Sequence, residues 1–452
     1  MNTSFFGELL QTISERGRGL LTRNRRGEAT ARSESLVELC EQLLSSRGEA
    51  SGVARAREIL TRYGELTTGP RIAFFEALRD RFGPDLPRLE TAIAAWRERP
   101  SHATVAEVHS ASEPRRQKLF RQLNLAPAGT AALVRMREQL IDVMGDSDNL
   151  TAVDGDFVHL FSSWFNRGFL VLRRIDWSTP AIVLDKIIRY EAVHEIRDWD
   201  DLRRRIDPPD RRCYAFFHPA LVDDPLIFVE VALTPDIPDA IARILSSGRE
   251  ITDTDKMRTA TFYSISNCQR GLAGVSFGNF LIKQVLEEIC REMPKLSTFV
   301  TLSPVTNFAA WLKREREQEN STALSEADKA LFAKLDVPSW WRDPETAALL
   351  QDPLMRAAAW YFLRAHNKHG RPIDAVARFH LGNGARLERI NWLADASDKA
   401  ITQAHGLMVN YLYDPDHIEK NHESYAESRA VFASSAVQRL LRPPLELVPV
   451  AG

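Results

Sequence analysis

The chain has 452 residues, is 44% apolar, and carries 59 basic against 61 acidic side chains, for a formal net charge of −2. This length is sufficient for two or three domains with large cores. The near balance of charge produces no global field that would attract nucleic acid or an anionic membrane, and no uncharged apolar run of about 18 residues predicts a transmembrane helix. We therefore expect a soluble protein that binds any polyanion at a local site.

The cysteines and the N-terminus indicate a cytoplasmic protein. The four cysteines lie far apart, without a CxxC pair or metal-ligand spacing: Cys40, Cys213, Cys268 and Cys290. We expect packed thiols in a reducing compartment. The basic segment 1–26 contains Glu8 and Glu15 and has no apolar stretch of signal-peptide length. It is interpreted as the basic terminus of a mature protein.

Apolar residues recur at helical spacing through the first third of the chain. One such series is Phe74, Phe75, Leu78 and Phe82, and another is Leu89, Ile93 and Trp96. Turn signals such as Gly83-Pro84-Asp85 separate these series at intervals typical of a helical bundle. The pattern predicts an all-α helical domain over residues 1–164 that serves in assembly.

The second part of the chain, residues 165–452, has a different pattern. Strand-like runs are predicted at 169–172, 213–217, 226–233 and 261–265, with helical stretches at 180–190, 199–205 and 237–246. The run 226–233 is almost entirely apolar and should lie in the middle of a sheet that is covered on both faces. The whole chain is therefore predicted to be α+β, with a helical domain followed by a mixed α/β domain.

A glycine-rich loop follows the strand at 261–265. Gly271-Leu272-Ala273-Gly274 precedes a predicted helix that starts at Phe280, and the free amides at a helix N-terminus favour a phosphate. A loop that merely closes onto a helix would give the same pattern. Phosphate binding is therefore one of two interpretations.

The same loop contains a GxSxG sequence, Gly274-Val275-Ser276-Phe277-Gly278. A nucleophile elbow needs a strand that runs directly into the serine, whereas the nearest predicted strand ends near Ser266. Asp374 and His380 nevertheless follow in the chain order of a catalytic triad. A serine hydrolase that uses Ser276 therefore remains an alternative.

Ser303 and His380 each allow two interpretations. Ser303 follows a predicted strand and precedes Pro304 and a helical stretch at 307–312, so it is either a helix N-cap or a site residue. His380 occupies a strand-like position, where it is either a hydrogen-bonded core residue or part of a site beside Gly382 and Gly384. The remaining histidine pairs lack carboxylate or thiol partners, so no metal site is predicted.

Several blocks of this sequence together resemble the malonyl-CoA decarboxylase family along essentially the whole chain. They are Glu191-Ala192-Val193-His194, Arg211-Arg212-Cys213-Tyr214, Phe262-Tyr263-Ser264-Ile265-Ser266, Gly271-Leu272-Ala273-Gly274-Val275, Leu281-Ile282-Lys283, Leu302-Ser303-Pro304, Phe379-His380-Leu381-Gly382-Asn383-Gly384-Ala385, Arg389-Ile390-Asn391-Trp392-Leu393-Ala394-Asp395 and Gly406-Leu407-Met408-Val409-Asn410-Tyr411. The resemblance implies a helical assembly domain and a catalytic domain with the fold of GCN5-related acetyltransferases (GNAT). In that fold, splayed strands admit the acyl-pantetheine.

The resemblance also implies the chemistry. Ser303 would be the catalytic serine, His380 its partner and proton donor, and Tyr413 their neighbour. The loop that binds malonyl-CoA would be Ala273, Gly274, Val275, Ser276, Phe277, Gly278 and Asn279. The expected reaction converts malonyl-CoA to acetyl-CoA and CO2 without cofactor or metal, in a cytoplasmic homotetramer of fatty acid metabolism. The alternatives are a GNAT-type acyltransferase and the serine hydrolase named above.

Overall fold

The computed structural model describes residues 35–46, 48–145, 148–251, 253–275 and 281–441. Backbone contacts divide the chain into two compact units. The first comprises residues up to 171 together with 217–226 and 269–278, and the second comprises 172–216, 227–268 and the residues from 279 onward. Within the described ranges, no helix is both long enough and apolar enough to cross a bilayer.

The first unit is helical. Its described helices are α1 (Leu36–Ser45), α2 (Glu49–Gly64), α3 (Thr68–Asp80), α4 (Leu86–Glu98), α5 (His102–Ser112), α6 (Arg115–Asn124), α7 (Gly129–Met144) and α8 (Thr151–Trp164). The apolar faces predicted from the sequence are buried, as Phe75 and Leu78 show. Phe120 of α6 and Phe157 of α8 stack with ring centroids 4.1 Å apart. The helical region is therefore confirmed.

The strands and the remaining helices follow. The strands are β1 (Val171–Ile175), β2 (Arg211–Phe217), β3 (Pro225–Thr234), β4 (Thr259–Asn267), β5 (Thr298–Thr301), β6 (Ser303–Pro304), β7 (Arg386–Asn391) and β8 (Met408–Leu412). The helices are α9 (Ala181–Tyr190), α10 (Trp199–Ile206), α11 (Ala242–Leu245), α12 (Leu281–Glu292), α13 (Phe308–Glu317), α14 (Glu326–Phe332), α15 (Pro344–Leu363), α16 (Ala375–Gly382), α17 (Asp398–Ala404), α18 (Ile418–Ser428) and α19 (Ser435–Arg439).

The strands form one mixed sheet. Its order is β1-β2-β3-β4-β5-β8-β6, and β7 pairs with β8. β4 and β5 are parallel, whereas β3 pairs with β4, and β8 with each of its partners, in antiparallel fashion. Nine of the ten residues of β3 are buried, as its apolar sequence predicted for a strand covered on both faces. The helical region and the mixed sheet together confirm the α+β class.

Three predicted elements differ from the structure. The helix predicted at 237–246 is reduced to the single turn α11, because the groups of its first turn bond elsewhere. The Ile241 amide donates to the Ala394 carbonyl oxygen (2.9 Å), and the Ile237 carbonyl oxygen accepts from Arg389 Nη2 (3.0 Å). The strand predicted at 169–172 begins only at Val171, after a 3-10 turn that ends at Phe169. His380, predicted at a strand-like position, lies in the last turn of α16.

Gly384 lies where a side chain cannot fit. Its φ is +85°, and a Cβ there would lie 2.0 Å from the carbonyl oxygen of Ile418 in α18. Substitution would impose both a left-handed backbone on an L residue and a backbone clash. We expect Gly384→Ala to lower the free energy of unfolding by roughly 2–4 kcal/mol, measured by chemical denaturation.

Gly52 in α2 provides the matched control. A Cβ at this position would meet nothing within 4 Å, so Gly52→Ala should be neutral or stabilise the protein by up to about 1 kcal/mol. Equal stability of the two variants would contradict the close approach of Ile418 to Gly384.

Candidate active site

A cavity opens where two neighbouring strands separate. β4 and β5 pair from Thr259–Thr298 as far as Phe262–Thr301, where the ladder ends, although β4 continues to Asn267. Beyond that point the cavity has a volume of about 360 Å³ and is lined by Ser264 of β4 and by Ser303. This volume is within the range of small-molecule sites. The divergence of the two strands therefore creates the pocket within the second unit.

On the other edge of β5, side chains bridge an interruption in its pairing with β8. Asn410 of β8 donates from Nδ2 to the carbonyl oxygen of Thr301 (2.8 Å), and the Tyr411 amide donates to the Thr301 hydroxyl (3.2 Å). Pairing then resumes between Ser303 and Val409. Ser303 is thereby held in a strand at the cavity wall. It is not a helix N-cap, because Asn307 precedes α13.

His380 reaches the same cavity from a helix. Asp374 caps α16 by accepting from the Ala377 amide (2.7 Å), and six residues later the last turn of the helix presents the imidazole. The ring stacks on Tyr411, with centroids 4.6 Å apart and planes 24° apart. Gly384 was predicted to lie beside a site at His380. In the structure, its lack of a side chain allows the backbone of α18 to approach.

The structure brings three of the predicted site residues into one hydrogen-bonded chain. Ser303 Oγ lies 3.3 Å from His380 Nε2, and His380 Nδ1 lies 2.8 Å from the Tyr413 hydroxyl. Ser303 Oγ also donates to Thr301 Oγ1 (2.9 Å). Ser303, His380 and Tyr413 are all buried, and Ser303 and His380 line the cavity.

These contacts assign the proton of the imidazole ring. The single hydroxyl proton of Ser303 is directed to Thr301, so the Ser303 oxygen can only accept from His380. A hydrogen bond between this oxygen and His380 Nε2 then requires the ring hydrogen on Nε2. Nδ1 is then the acceptor, and the Tyr413 hydroxyl donates to it.

The hydrogen-bonded groups of this site, Ser303, His380 and Tyr413, are uncharged. Burial lowers the pKa of His380 to about 3. Burial also raises the pKa of Tyr413 well above its ordinary value of 10. Both groups are therefore neutral at physiological pH, in a region of low dielectric where electrostatic interactions are strong.

Asp374 is not the acid of a catalytic triad, so the serine hydrolase alternative is wrong for this residue. Its carboxylate accepts from the Ala377 amide and from the Tyr361 hydroxyl (3.1 Å), whereas Nδ1 of His380 is bonded to Tyr413. The strand geometry also differs from a nucleophile elbow, because β4 ends at Asn267 and a 3-10 turn at 270–272 follows. Ser276 itself lies outside the described residues.

The predicted CoA-binding loop is described only in part. In the first unit, Arg137 donates from Nη1 to the carbonyl oxygens of Gly271 (2.9 Å) and Ala273 (2.7 Å). A Cβ on Gly271 would lie 2.0 Å from the Val134 carbonyl oxygen, so this glycine allows the loop to pack on α7. This contact explains Gly271 without a phosphate.

The assignment of residues 273–279 to malonyl-CoA binding remains a prediction. The amides of Ala273 and Val275 donate to backbone carbonyls three residues earlier, and Gly274 has a positive φ of +77°. The four following residues lie outside the described part of the chain: Ser276, Phe277, Gly278 and Asn279.

A second wall of the cavity is stabilised by hydrogen bonds to the buried carboxyl group of Glu191. The Glu191 carboxylate accepts from the hydroxyls of Ser264 (2.7 and 2.8 Å) and Ser266 (3.1 Å) and from the His194 amide (2.7 Å). Lys399 Nζ donates to the Ala192 carbonyl oxygen (3.0 Å). His194 lines the cavity, and burial lowers its pKa to about 4. This wall is organised before any ligand binds.

Thr301 and Tyr411 belong to the site but are not predicted from the sequence, although their spacing from predicted site residues contains a signal for each. Successive side chains in a strand point to opposite faces, so Thr301 lies on the same face as Ser303, and Tyr411 lies on the same face as Tyr413. The two-residue spacing could have identified both. Nothing in the sequence around Glu191 places His194 at the cavity.

Models of a known protein family match most of the chain. The model of the malonyl-CoA decarboxylase C-terminal domain matches residues 168–449, and that of the N-terminal domain matches residues 82–165. The mitochondrial malonyl-CoA decarboxylase of Anser anser anser is 33% identical over 459 residues, which cover 94% of this chain and 89% of that protein. The Rattus norvegicus protein of the same name is 36% identical over 352 residues, covering 73% and 71%.

Crystal structures show the same relationship. Malonyl-CoA decarboxylase from Rhodopseudomonas palustris is 58% identical, with a TM-score of 0.87 and coverage of 89% of this chain and 98% of that chain. The enzyme from Agrobacterium vitis is 55% identical, with a TM-score of 0.87 and coverage of 90% and 100%. From its sequence and its fold, the chain belongs to the malonyl-CoA decarboxylase family.

Proposed function

We propose that this protein is a carboxy-lyase that converts malonyl-CoA to acetyl-CoA and CO2. The observation that carries the proposal is the buried, uncharged chain of Ser303, His380 and Tyr413 at the separated strands, in a member of this family. The sequence-based assignment of residues 273–279 to the CoA phosphates is part of the proposal.

The cavity is suited to an extended thioester arm. β4 continues past the last residue paired with β5, so this edge of β4 can take up an extended chain as an added strand. Ser264 and Asn267 of β4 line the cavity, opposite Ser303 and His380. A pantetheine arm in this position would bring its acyl group to the serine and histidine.

The reaction needs little from the protein beyond a dry, polarised pocket. Loss of CO2 from a malonyl thioester leaves an enolate whose negative charge rests on the thioester oxygen, so we propose that no cofactor or metal acts as an electron sink. Hydrogen-bond donors in a buried site stabilise that charge strongly. When malonyl-CoA binds, the Ser303 hydroxyl is proposed to exchange its hydrogen bond to Thr301 for one to the departing carboxylate.

His380 is proposed to protonate C2 of the enolate. Each turnover consumes one proton, because a carboxylate leaves as CO2 and a C–H bond replaces it. Nε2 carries the ring hydrogen, and its 3.3 Å contact with Ser303 is long enough to be exchanged for one with substrate. The negative charge of bound malonyl-CoA would favour the imidazolium, which supplies that proton.

One assay separates the candidate functions. Purified full-length protein should convert malonyl-CoA to acetyl-CoA and CO2 without added cofactor. Ser303→Ala and His380→Ala should each lower kcat by about 10²–10⁴-fold, because each removes a group that acts on the reacting atoms. Acetyl-CoA, CO2 and free CoA are measured together.

The controls are Ser428→Ala and His369→Ala, which change exposed residues outside the cavity and should retain full activity. Release of free CoA instead of acetyl-CoA would indicate a hydrolase. A requirement for an amine acceptor would indicate an acyltransferase. Trapping of a stable acyl-Ser303 adduct during turnover would overturn the non-covalent route.

Substrate binding should draw a proton into the site. At pH 7 the empty site holds His380 neutral because burial lowers its pKa to about 3, and a carboxylate in the same cavity raises that pKa. When the pKa passes above the solution pH, binding takes up about one proton. Calorimetric titration with a malonyl-CoA analogue that cannot lose CO2, in buffers of different ionisation enthalpy, measures this uptake.

Two comparisons identify the group that takes up the proton. Acetyl-CoA carries no carboxylate and should bind without uptake. His380→Gln should bind the malonyl analogue without uptake. Equal uptake by this variant and the unsubstituted protein would show that another group accepts the proton.

We propose that the protein assembles into a homotetramer, as the resemblance implies, and that it acts in fatty acid metabolism in the cytoplasm, as its composition and cysteines suggest. Helices α4 and α5 expose large apolar side chains, with Leu86 61% and Val105 52% accessible, which supports assembly through the helical unit. Light scattering of the purified protein should give four subunits. A monomer at micromolar concentration would contradict this assembly.

A further inference from the structure

We propose that Thr301 is a positioning residue that holds the Ser303 hydroxyl proton away from His380 and thereby fixes His380 as the Nε2–H tautomer. This role rests on the proposed decarboxylase function and concerns the direction of one hydrogen bond within that site. It makes Thr301 a determinant of which reaction the serine and histidine perform.

The Thr301 hydroxyl oxygen is occupied by two donors. Ser303 Oγ donates to it at 2.9 Å and the Tyr411 amide at 3.2 Å, which uses both acceptor positions of a hydroxyl oxygen. Thr301 is fully buried, so water does not compete for these bonds.

The position of Thr301 is itself firmly determined. Thr301 is the last residue of β5 and pairs with Phe262 of β4. Its carbonyl oxygen accepts from Asn410 Nδ2 (2.8 Å), and Asn410 in turn accepts from Asn391 Nδ2 (2.8 Å). The acceptor offered to Ser303 therefore has little freedom to move.

The direction of the Ser303 hydroxyl proton distinguishes nucleophilic attack by the serine from proton donation by His380. In a nucleophilic serine–histidine pair, the serine donates to Nε2. Its oxygen then forms a bond to the thioester carbonyl, its proton passes to Nε2, and the C–S bond breaks as the CoA sulfur takes that proton. At this site Ser303 donates its hydroxyl proton to Thr301, which leaves the Ser303 oxygen as the acceptor for a hydrogen on Nε2.

The partner at the other ring nitrogen agrees with this assignment. A hydrolase triad places a carboxylate at Nδ1, which requires a hydrogen there. Tyr413 is instead a neutral hydroxyl that can donate to Nδ1. Thr301 and Tyr413 together keep the donor hydrogen on Nε2, which faces the cavity where the enolate would form.

Two substitutions at Thr301 separate the hydroxyl from the side-chain volume. Thr301→Val keeps the shape and removes the acceptor, whereas Thr301→Ser keeps the acceptor. Thr298→Val is the matched control, because Thr298 is on the same strand and does not line the cavity. Chemical denaturation verifies that each variant is folded.

The readout is the ring tautomer together with the kinetics. Nitrogen-15 NMR of histidine-labelled full-length protein, with the His380 signals identified by His380→Gln, should show Nε2–H in the unsubstituted protein and in Thr301→Ser. Thr301→Val should shift His380 toward Nδ1–H. It should also lower kcat about tenfold with a much smaller change in KM, and Thr301→Ser should remain within about threefold of the unsubstituted protein.

The outcomes discriminate between the proposals. A Thr301→Val protein that keeps the Nε2–H tautomer would overturn the positioning role, whether or not its kcat falls, because a loss of activity alone would then reflect packing. Equal losses in Thr301→Val and Thr298→Val would overturn it as well. Absence of decarboxylation by the unsubstituted protein would instead reject the proposed function.

Discussion

The end of backbone pairing between β4 and β5 is the constraint on which the rest of the site depends. A buried backbone amide or carbonyl that loses its ladder partner must find another. Here the Leu302 amide donates to the Phe262 carbonyl oxygen beside the last paired residues. On the other edge of β5, the Thr301 carbonyl oxygen accepts from the Asn410 side chain and the Tyr411 amide donates to the Thr301 hydroxyl. β4 continues to Asn267 without β5 as a partner, and the space between the two strands is the cavity.

Burial gives this site its electrostatic character. The histidine has a depressed pKa and its tyrosine partner a raised one, so the empty site contains neutral hydrogen-bonding groups and no ion pair at the imidazole. Such a site stabilises charge that appears during a reaction more strongly than water does, because its dipoles are already oriented. A buried carboxylate is present at Glu191, but serine hydroxyls and backbone amides satisfy it in the opposite wall.

The predictions from the sequence succeeded where local pattern decides structure. The buried strand at 226–233 and the helices of the first third follow directly from apolar periodicity, which reflects the face that each element buries. Ser303 follows a predicted strand, but its local sequence favours a helix cap over a site residue. His380 is predicted at a strand-like position because α16 has only eight residues, too few to establish a helical repeat of apolar side chains.

Residues distant in the sequence account for what local pattern could not predict. Thr301, His380 and Tyr413 meet because β5, α16 and β8 converge, and no spacing along the chain encodes that convergence. Residues 218–224 and 269–275 likewise belong to the helical unit, although each segment follows a strand of the sheet. Arg137 binds the carbonyl oxygens of the glycine loop across more than a hundred residues of chain.

The sequence by itself determined the α+β class and the family, because these depend on residue types, periodicity and recognisable blocks. It also predicted Ser303, His380 and Tyr413 as site residues, and the structure brings these three together. Only the tertiary structure revealed the hydrogen-bond partners of His380, the burial that lowers its pKa and the contact of Thr301 with Ser303. These properties depend on burial and on distances of a few ångströms between elements that are far apart in the chain. A one-dimensional pattern contains neither quantity.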